Sequence, residues 1–320
     1  MKFLCVGAAV QDVYFSNSED FAPVQIGNKW FEKLELGGKF NVNKIDFSTG
    51  GGASNAATTF ARQGHQAIFM GVIGKDPAGD AVSIALDREG INTRYVQYQS
   101  EYNTGYSLIL LAPNGERTIL TYRGASTHYN KEYFDISKVE KCDWLYATAM
   151  NGKMNIFKTM FLQAKANGMQ VAWNPGKNEL KEQKALLNLL PLVDVLIVNK
   201  EEAKQIVSGN TIVSLAKKLA DLVSVAIVTD SQNGSVVSDG ETVLKAGLYD
   251  RVQRTVDRTG AGDAYGSGFV VKLAEGKNLE EAMLFANANS SSVCRAIGAK
   301  TNILQKNARI HSMDIEAVKQ

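Results

Sequence analysis

The sequence predicts an α/β protein: a central, mostly parallel sheet flanked by helices, with a smaller β-sheet set against it as a lid. Three observations carry that prediction. In the second half of the chain, short apolar runs alternate with helical segments, the rhythm of βα units. Two strand-rich stretches, 13–47 and 93–124, break the rhythm and point to a separate small sheet. Near the C-terminus, Gly260-Ala261-Gly262-Asp263 forms a tight turn feeding a helix. No internal repeat or low-complexity linker appears, so residues 1–320 are read as one body carrying its own lid.

Composition narrows the function classes. The 320 residues are 45% hydrophobic, enough for a sizeable core. Lys plus Arg number 35 against 33 Asp plus Glu, a net charge of +2, which gives no case for a dedicated nucleic-acid binder. Cys5, Cys142 and Cys294 are far apart and odd in number, which argues against a disulfide scaffold or a zinc site. Gln11 and Asp12 interrupt the N-terminal apolar run, so neither a signal peptide nor a membrane span is supported, and a cytoplasmic protein is expected.

Residues 3–10 read as a buried strand ending at Asp12. In parallel sheets ligands gather beyond strand carboxyl ends, so Asp12 is placed either to meet a polar substrate or simply to cap or solvate the chain. Tyr14, Phe15, Phe21, Trp30, Phe31 and Phe40 are scattered without helical period, fitting short side-layer strands that need a cover, from substrate or a second subunit. Gly50-Gly51-Gly52-Ala53-Ser54-Asn55 then opens a helix, with Ser54 or Asn55 as its cap. The triple glycine lets backbone approach a ligand, or is a plain loop into a tightly packed helix.

Residues 67–72 read as a strand and 78–89 as a helix stopped by Gly90. Strands at 106–111 and 118–122 flank Pro113-Asn114-Gly115-Glu116, a hairpin signal. Strands follow at 144–147, 169–173, 193–198 and 225–229, with a helix at 156–166, a segment at 185–190 leading into the third of these strands, and a helix starting near Glu201. Residues 234–237 and 242–246 make a hairpin, and helices 264–274 and 279–293 finish the core.

The Gly260-Ala261-Gly262 turn leaves successive backbone N–H groups pointing one way at a helix start, an anion site, with Asp263 beside it as a proton acceptor. The alternative is an ordinary turn with Asp263 as a capping residue. At a helix N-terminus Asp263 is expected to have a depressed pKa and so to take its proton late. Val6-Gly7-Ala8-Ala9-Val10 is no dinucleotide fingerprint, and Gly71-Val72-Ile73-Gly74-Lys75-Asp76 is no P-loop. Asn199 and Glu202, at the carboxyl end of a strand, suit Mg²⁺ and phosphates, although Glu202 equally suits a first helical turn.

Two signatures in this order, Gly51-Gly52-Ala53-Ser54-Asn55-Ala56-Ala57 with Gly64 and Gly74, and Asp257-Arg258-Thr259-Gly260-Ala261-Gly262-Asp263, resemble the ribokinase-like carbohydrate kinases, also called the phosphofructokinase B family. The resemblance covers essentially the whole chain and implies a ribokinase-like three-layer sandwich. It implies Asp263 as catalytic base and the amides from Gly260 through Ala261 and Gly262 to Asp263 as anion hole. Asp12, Gly51, Gly52 and Asn55 correspond to acceptor contacts, with Arg117 in the lid-derived substrate region. Asn199 and Glu202 correspond to the Mg²⁺ and phosphate region, Thr229 and Gly234 to the nucleotide loop, and Asn287 to the adenine side. Asp257 and Thr259, with Cys294 and Gly298, resemble a monovalent-cation site, so ATP, Mg²⁺ and K⁺ are the implied small partners.

The chain departs from the pattern at several points. Arg258 stands where the family often has a small hydroxylated residue, Ser231 replaces the first glycine of the nucleotide loop, and the first signature lacks ribokinase's lysine. Leu304 replaces a frequent proline. The expected activity is ATP-dependent phosphorylation of a sugar hydroxyl, probed against two alternatives, a nucleoside kinase of the same family and an idle binding regulator. A homodimer through the lid is expected, with no nucleic-acid or membrane partner.

Overall fold

The structure, a computed structural model, describes residues 1–16, 18–113, 116–250 and 255–318. Strand β1 (Lys2–Val6) sends Phe3 and Cys5 into one core and Leu4 and Val6 into the other, so both faces of its sheet are covered. The apolar run does not continue to residue 10 as one strand. The chain leaves the main sheet after Val6 and starts β2 (Val10–Ser16) in a separate four-stranded sheet. Asp12 therefore lies inside a strand of the small sheet, a correction to its expected place beyond β1. An apolar run does not reveal a change of sheet, because both strands bury their residues.

β3 (Val24–Ile26) and β4 (Lys29–Phe31) form an exposed hairpin, and β5 (Lys44–Gly50) returns antiparallel to β2, from Ser16↔Lys44 to Val10↔Gly50. Helix α1 (Gly52–Arg62) begins directly at Gly51, whose φ of +96° suits glycine, and no side chain caps it. Ser54 and Asn55 thus sit within its first turn and are not its cap, which frees both side chains for other partners. β6 (Gln66–Met70) joins β1 in parallel. β7 (Val72–Gly74) pairs instead with β8 (Gln97–Gln99), and between them lies α2 (Pro77–Arg88), capped by Asp76.

β9 (Gly105–Leu111) runs parallel to β2, and β10 (Arg117–Tyr122) pairs antiparallel with β9, completing the small sheet in the order β10-β9-β2-β5. Asn114 and Gly115 of the expected hairpin turn lie outside the described residues.

The second half follows the βα rhythm: β11 (Trp144–Ala147), α3 (Met154–Ala166), β12 (Gln170–Trp173), α4 (Lys177–Lys181), α5 (Gln183–Leu189), β13 (Val195–Asn199), α6 (Lys200–Ile206), α7 (Ile212–Ala220) and β14 (Val225–Thr229). β15 (Ser235–Ser238) and β16 (Val243–Ala246) extend the sheet antiparallel, α8 (Ala261–Ala274) and α9 (Leu279–Val293) cross one face, and β17 (Ile315–Ala317) closes the edge. The main sheet runs β17-β16-β15-β14-β13-β12-β11-β1-β6. One core packs it against α1, α2, α8 and α9, and the other against α3, α5 and α7. This is the expected three-layer α/β sandwich, with α4, α7 and β17 added to the elements read from the sequence.

The small sheet has two unlike faces because side chains alternate along each strand. Asp12, Ser48 and Ser107 share a polar face, since Asp12 is in register with both serines. The opposite face is apolar: Val13, Phe15, Ile45, Phe47, Leu108 and Leu120 line a concavity of about 660 Å³.

Candidate active site

The helices α1 and α8 bring the two glycine-rich signatures together. Asn55 Nδ2 donates to Asp263 Oδ2 at 2.7 Å, and deeper down Ser267 Oγ meets Thr59 Oγ1 at 2.8 Å. Gly52 is part of the fit: a Cβ there would stand 3.3 Å from Asp263 Oδ1. Gly51 is required differently, since a side chain at it would collide with the carbonyl of Ala8. The glycine run thus seats one first turn against the other.

Asp263 occupies the first turn of α8, preceded by Gly260 in the left-handed conformation with φ +80°. A Cβ at Gly260 would approach Ala299 O to 2.6 Å. The Asp263 carboxyl is held above its ordinary value, chiefly by burial, while the Asn55 hydrogen bond pulls it down. That reverses the depression expected from the helix terminus. The reason is desolvation, which in this crowded corner outweighs the pull of the Asn55 hydrogen bond.

The set of free amides at the candidate anion site is smaller than the motif suggests. Ala261 N donates to Arg258 O at 3.3 Å and is already used. Among the described residues, the amides of Gly262 and Asp263 donate to no backbone carbonyl. These two remain to receive negative charge at the N-terminus of α8.

Across the site, Asp12 is 3% exposed and pushed up to about 6 by burial, with the Ser107 hydrogen bond and the Lys300 ammonium opposing the shift. Lys300 has no counterpart among the residues read from the sequence. It is buried, donates from Nζ to Ser54 Oγ at 2.8 Å, and is pushed down to about 8 by the same desolvation. Its closeness to Gly298 in sequence is the one signal that pointed toward it.

Asn199 and Glu202 form a reciprocal cap on α6: Asn199 N donates to Glu202 Oε2 at 2.8 Å, and Glu202 N to Asn199 Oδ1 at 3.0 Å. The first-turn alternative is therefore realised geometrically. Burial raises the Glu202 carboxyl, against the pull of its hydrogen bonds with Asn199, and the charge of Asp263 adds to the rise. No group of three or more His, Cys, Asp or Glu residues fit to hold a metal occurs among the described residues.

Thr229 ends β14 in register with Asn199, and the following turn closes through Asp230 N to Gly234 O at 2.8 Å. A side chain at Gly234 would collide with the carbonyl of Ala246. Ser231 adopts φ +47°, a left-handed conformation that explains why the family pattern has glycine there. Asn287 is turned inward, donating from Nδ2 to Met283 O at 2.9 Å.

Asp257 is fully buried and gathers the remaining candidates. Its Oδ1 accepts from Thr259 N at 2.9 Å and Thr259 Oγ1 at 2.7 Å, and its Oδ2 from Gly298 N at 3.2 Å. The Cys294 carbonyl accepts from Val256 N at 2.8 Å beside it. Arg117, expected on the acceptor side, faces this group, with Nε 3.8 Å from Asp257 Oδ1.

Residues 8–307 match the pfkB family carbohydrate kinase pattern. The chain belongs to the pfkB family of carbohydrate kinases. Ribokinase of Haemophilus influenzae is 27% identical over 263 residues, covering 79% of this chain and 83% of that protein. Adenosine kinase from Sinorhizobium meliloti superposes with a TM-score of 0.79 at 22% identity, over 95% of this chain and 97% of that one. An Escherichia coli structure in complex with ATP and Mg²⁺ gives a TM-score of 0.77 at 18% identity, over 95% and 96%. This chain is thus a carbohydrate kinase of that family, and the superpositions show that it has the ribokinase fold. No helix among the described residues is long and apolar enough to cross a membrane.

Proposed function

We propose that this pfkB-family kinase transfers the terminal phosphoryl group of ATP to a primary hydroxyl of a sugar or sugar derivative, with Asp263 as base. The observation that carries the proposal is the Asn55-held carboxylate of Asp263, 2.7 Å from the amide nitrogen that orients it and beside the two unused amides of α8. Asp12 orients the acceptor by accepting hydrogen bonds from its hydroxyls, and Asp263 takes the proton of the attacking hydroxyl. The Gly262 and Asp263 amides receive the charge that develops on the transferring group. Asp263, raised by burial, is a better proton acceptor than a surface carboxylate, which suits that role. Asn199 and Glu202 would hold Mg²⁺ through its water shell, and the ion supplies charge compensation on the phosphates. Thr229, Gly234 and Asn287 line the nucleotide side, and the small sheet acts as a lid that keeps water from the reaction.

One observation favours a sugar over a nucleoside. Of the aromatics able to stack on a base, Phe15 and Tyr106 line the outer concavity, on the face opposite Asp12, and Tyr14 is fully buried. None offers a ring to an acceptor. We assign the apolar outer face to a second copy of the chain, joined lid to lid, and place the enzyme in the cytoplasm, where ATP is available.

The test is ADP formation from ATP and Mg²⁺ across ribose, fructose, 2-keto-3-deoxygluconate, phosphosugars and nucleosides. Turnover with a sugar alone supports the reading, and turnover with a nucleoside alone replaces the acceptor class. Silence throughout, with ATP binding intact, would favour a binding regulator.

A further inference from the structure

Around Asp257 two separate segments bring four charges into register. Glu116 and Arg117 open β10, and Asp257 and Arg258 lead into α8. Arg117 Nε lies 3.8 Å from Asp257 Oδ1, and Arg258 Nη1 lies 3.9 Å from Glu116 Oε1. An acidic-basic dipeptide on the lid strand thus faces an acidic-basic dipeptide on the loop before the anion hole.

The residues that by resemblance would hold a monovalent cation do not fit one. Both carboxylate oxygens of Asp257 already accept hydrogen bonds, from Thr259 and from Gly298. Two buried polar atoms beside Asp257 have no hydrogen bond among the described residues: Arg117 Nε, which can donate but cannot ligate a cation, and the hydroxyl of Tyr14, which can donate to the carboxylate. With Arg117 and Arg258 both at hand, a further positive charge would be repelled at short range.

We propose that Arg117 stands in for the monovalent cation: carried on the lid strand, its guanidinium balances Asp257 beside the Gly262 and Asp263 amides, and phosphoryl transfer needs no K⁺. Arg258, the departure from the family pattern, is the other half of this clasp, because it holds Glu116 and so keeps Arg117 over Asp257. Arg117 is a positioning residue, acting through Asp257 on the loop that shapes the anion hole.

The inference rests on the kinase reading only for its kinetic arm, so the experiment has two arms. In the first, thermal unfolding of the full chain is measured in KCl, NaCl and tetramethylammonium chloride at one ionic strength. The wild type is expected to melt within about 1 °C in all three, and Arg117→Met to gain a saturable, K⁺-specific rise as K⁺ settles on the vacated Asp257. In the second, ADP formation by the wild type is expected to agree within about twofold among the three salts. Arg117→Met should lose about tenfold or more in kcat and recover part of it with K⁺ or guanidinium ion, with Arg117→Lys in between.

A saturable K⁺-specific stabilisation or a K⁺ activation above about fivefold in the wild type overturns the proposal. So does an Arg117→Met protein with undiminished kcat in tetramethylammonium chloride. If Arg117→Met fails to fold, the wild-type salt series and Arg117→Lys still decide. If no acceptor is turned over while the unfolding arm behaves as expected, the kinase reading fails and the assignment of Arg117 stands.

Discussion

At the scale of single residues, the proposed function divides the work between two buried carboxylates, Asp12 and Asp263, and burial is the largest influence on the pKa of each. Asp263 must be ionised to accept a proton, and the Asn55 hydrogen bond is what favours its charged form. Asp263→Asn should bind ATP and acceptor but lose about 10²–10⁴-fold in kcat, read by single-turnover phosphoryl transfer; undiminished turnover would rule out the base. Asn55→Ala removes the stabilising donor, so the acidic limb of the kcat profile should move to higher pH. Asp12 makes the opposite demand on stability. Its folded value, about 6, stands above the ordinary aspartate value of 3.8, so its contribution is full below 3.8 and is lost as pH rises through 6. Asp12→Asn should therefore raise the melting temperature at pH 8 relative to pH 4, less whatever attraction to Lys300 is lost, while weakening the acceptor KM. A variant that is destabilised more at pH 8 than at pH 4 would contradict this. Asp12 and Asp263 were legible in the sequence because their motifs are local. Lys300 was not, because its burial depends on α1 and the C-terminal loop meeting across 246 residues.

At the scale of elements, the nucleotide-side turn between β14 and β15 shows what a departure from pattern costs. Ser231, at φ +47°, holds a backbone conformation that costs an L-residue about 1–2 kcal/mol relative to glycine. Ser231→Gly is expected to return part of that, since glycine also gains freedom in the unfolded chain. A rise of about 2 °C in melting temperature, with the acceptor KM unchanged and the ATP KM altered, is the expected result. A drop in melting temperature would mean that the Ser231 side chain has a partner worth more than the strain. Gly234→Ala marks the opposite limit. Its Cβ would run into the carbonyl of Ala246, so a loss above about 2 kcal/mol in urea unfolding is expected. The same turn shows why some element boundaries were readable and others were not. Glycines and caps punctuate β13, α6 and the β15–β16 hairpin in the sequence itself. The split of the first apolar run between β1 and β2 carries no such mark, because both strands bury an unbroken series.

At the scale of the whole molecule, the small sheet must satisfy two surroundings at once. Its polar face, with Asp12, Ser48 and Ser107, looks onto the site, while its outer face leaves Phe47 68%, Leu120 56% and Tyr122 51% exposed around one concavity. A contiguous apolar patch of this kind is unusual on a monomer and asks for a cover. The alternation of polar and apolar residues made the two-faced sheet legible in the sequence. What the outer face meets was not, because no single chain contains its partner. A second copy is the economical cover, since a two-fold axis presents the same patch to itself and lets β5 and β10, the edges of the small sheet, approach another sheet. Light scattering should give twice the 34.8 kDa chain mass at micromolar concentration. Phe47→Glu with Leu120→Glu should give the single-chain mass, because a charge on each side of the concavity cannot be desolvated against its own copy. Since these residues stand on the face away from Asp12, the monomeric variant should keep its ATP KM and lose acceptor affinity only as far as the lid needs its neighbour to hold its shape. A wild-type chain that scatters as a monomer would remove the second copy as the cover. A variant that stays dimeric would place the contact elsewhere, and in either case the small sheet would have to be held over the site by its own ties, Glu116–Arg258 and Arg117–Asp257 among them.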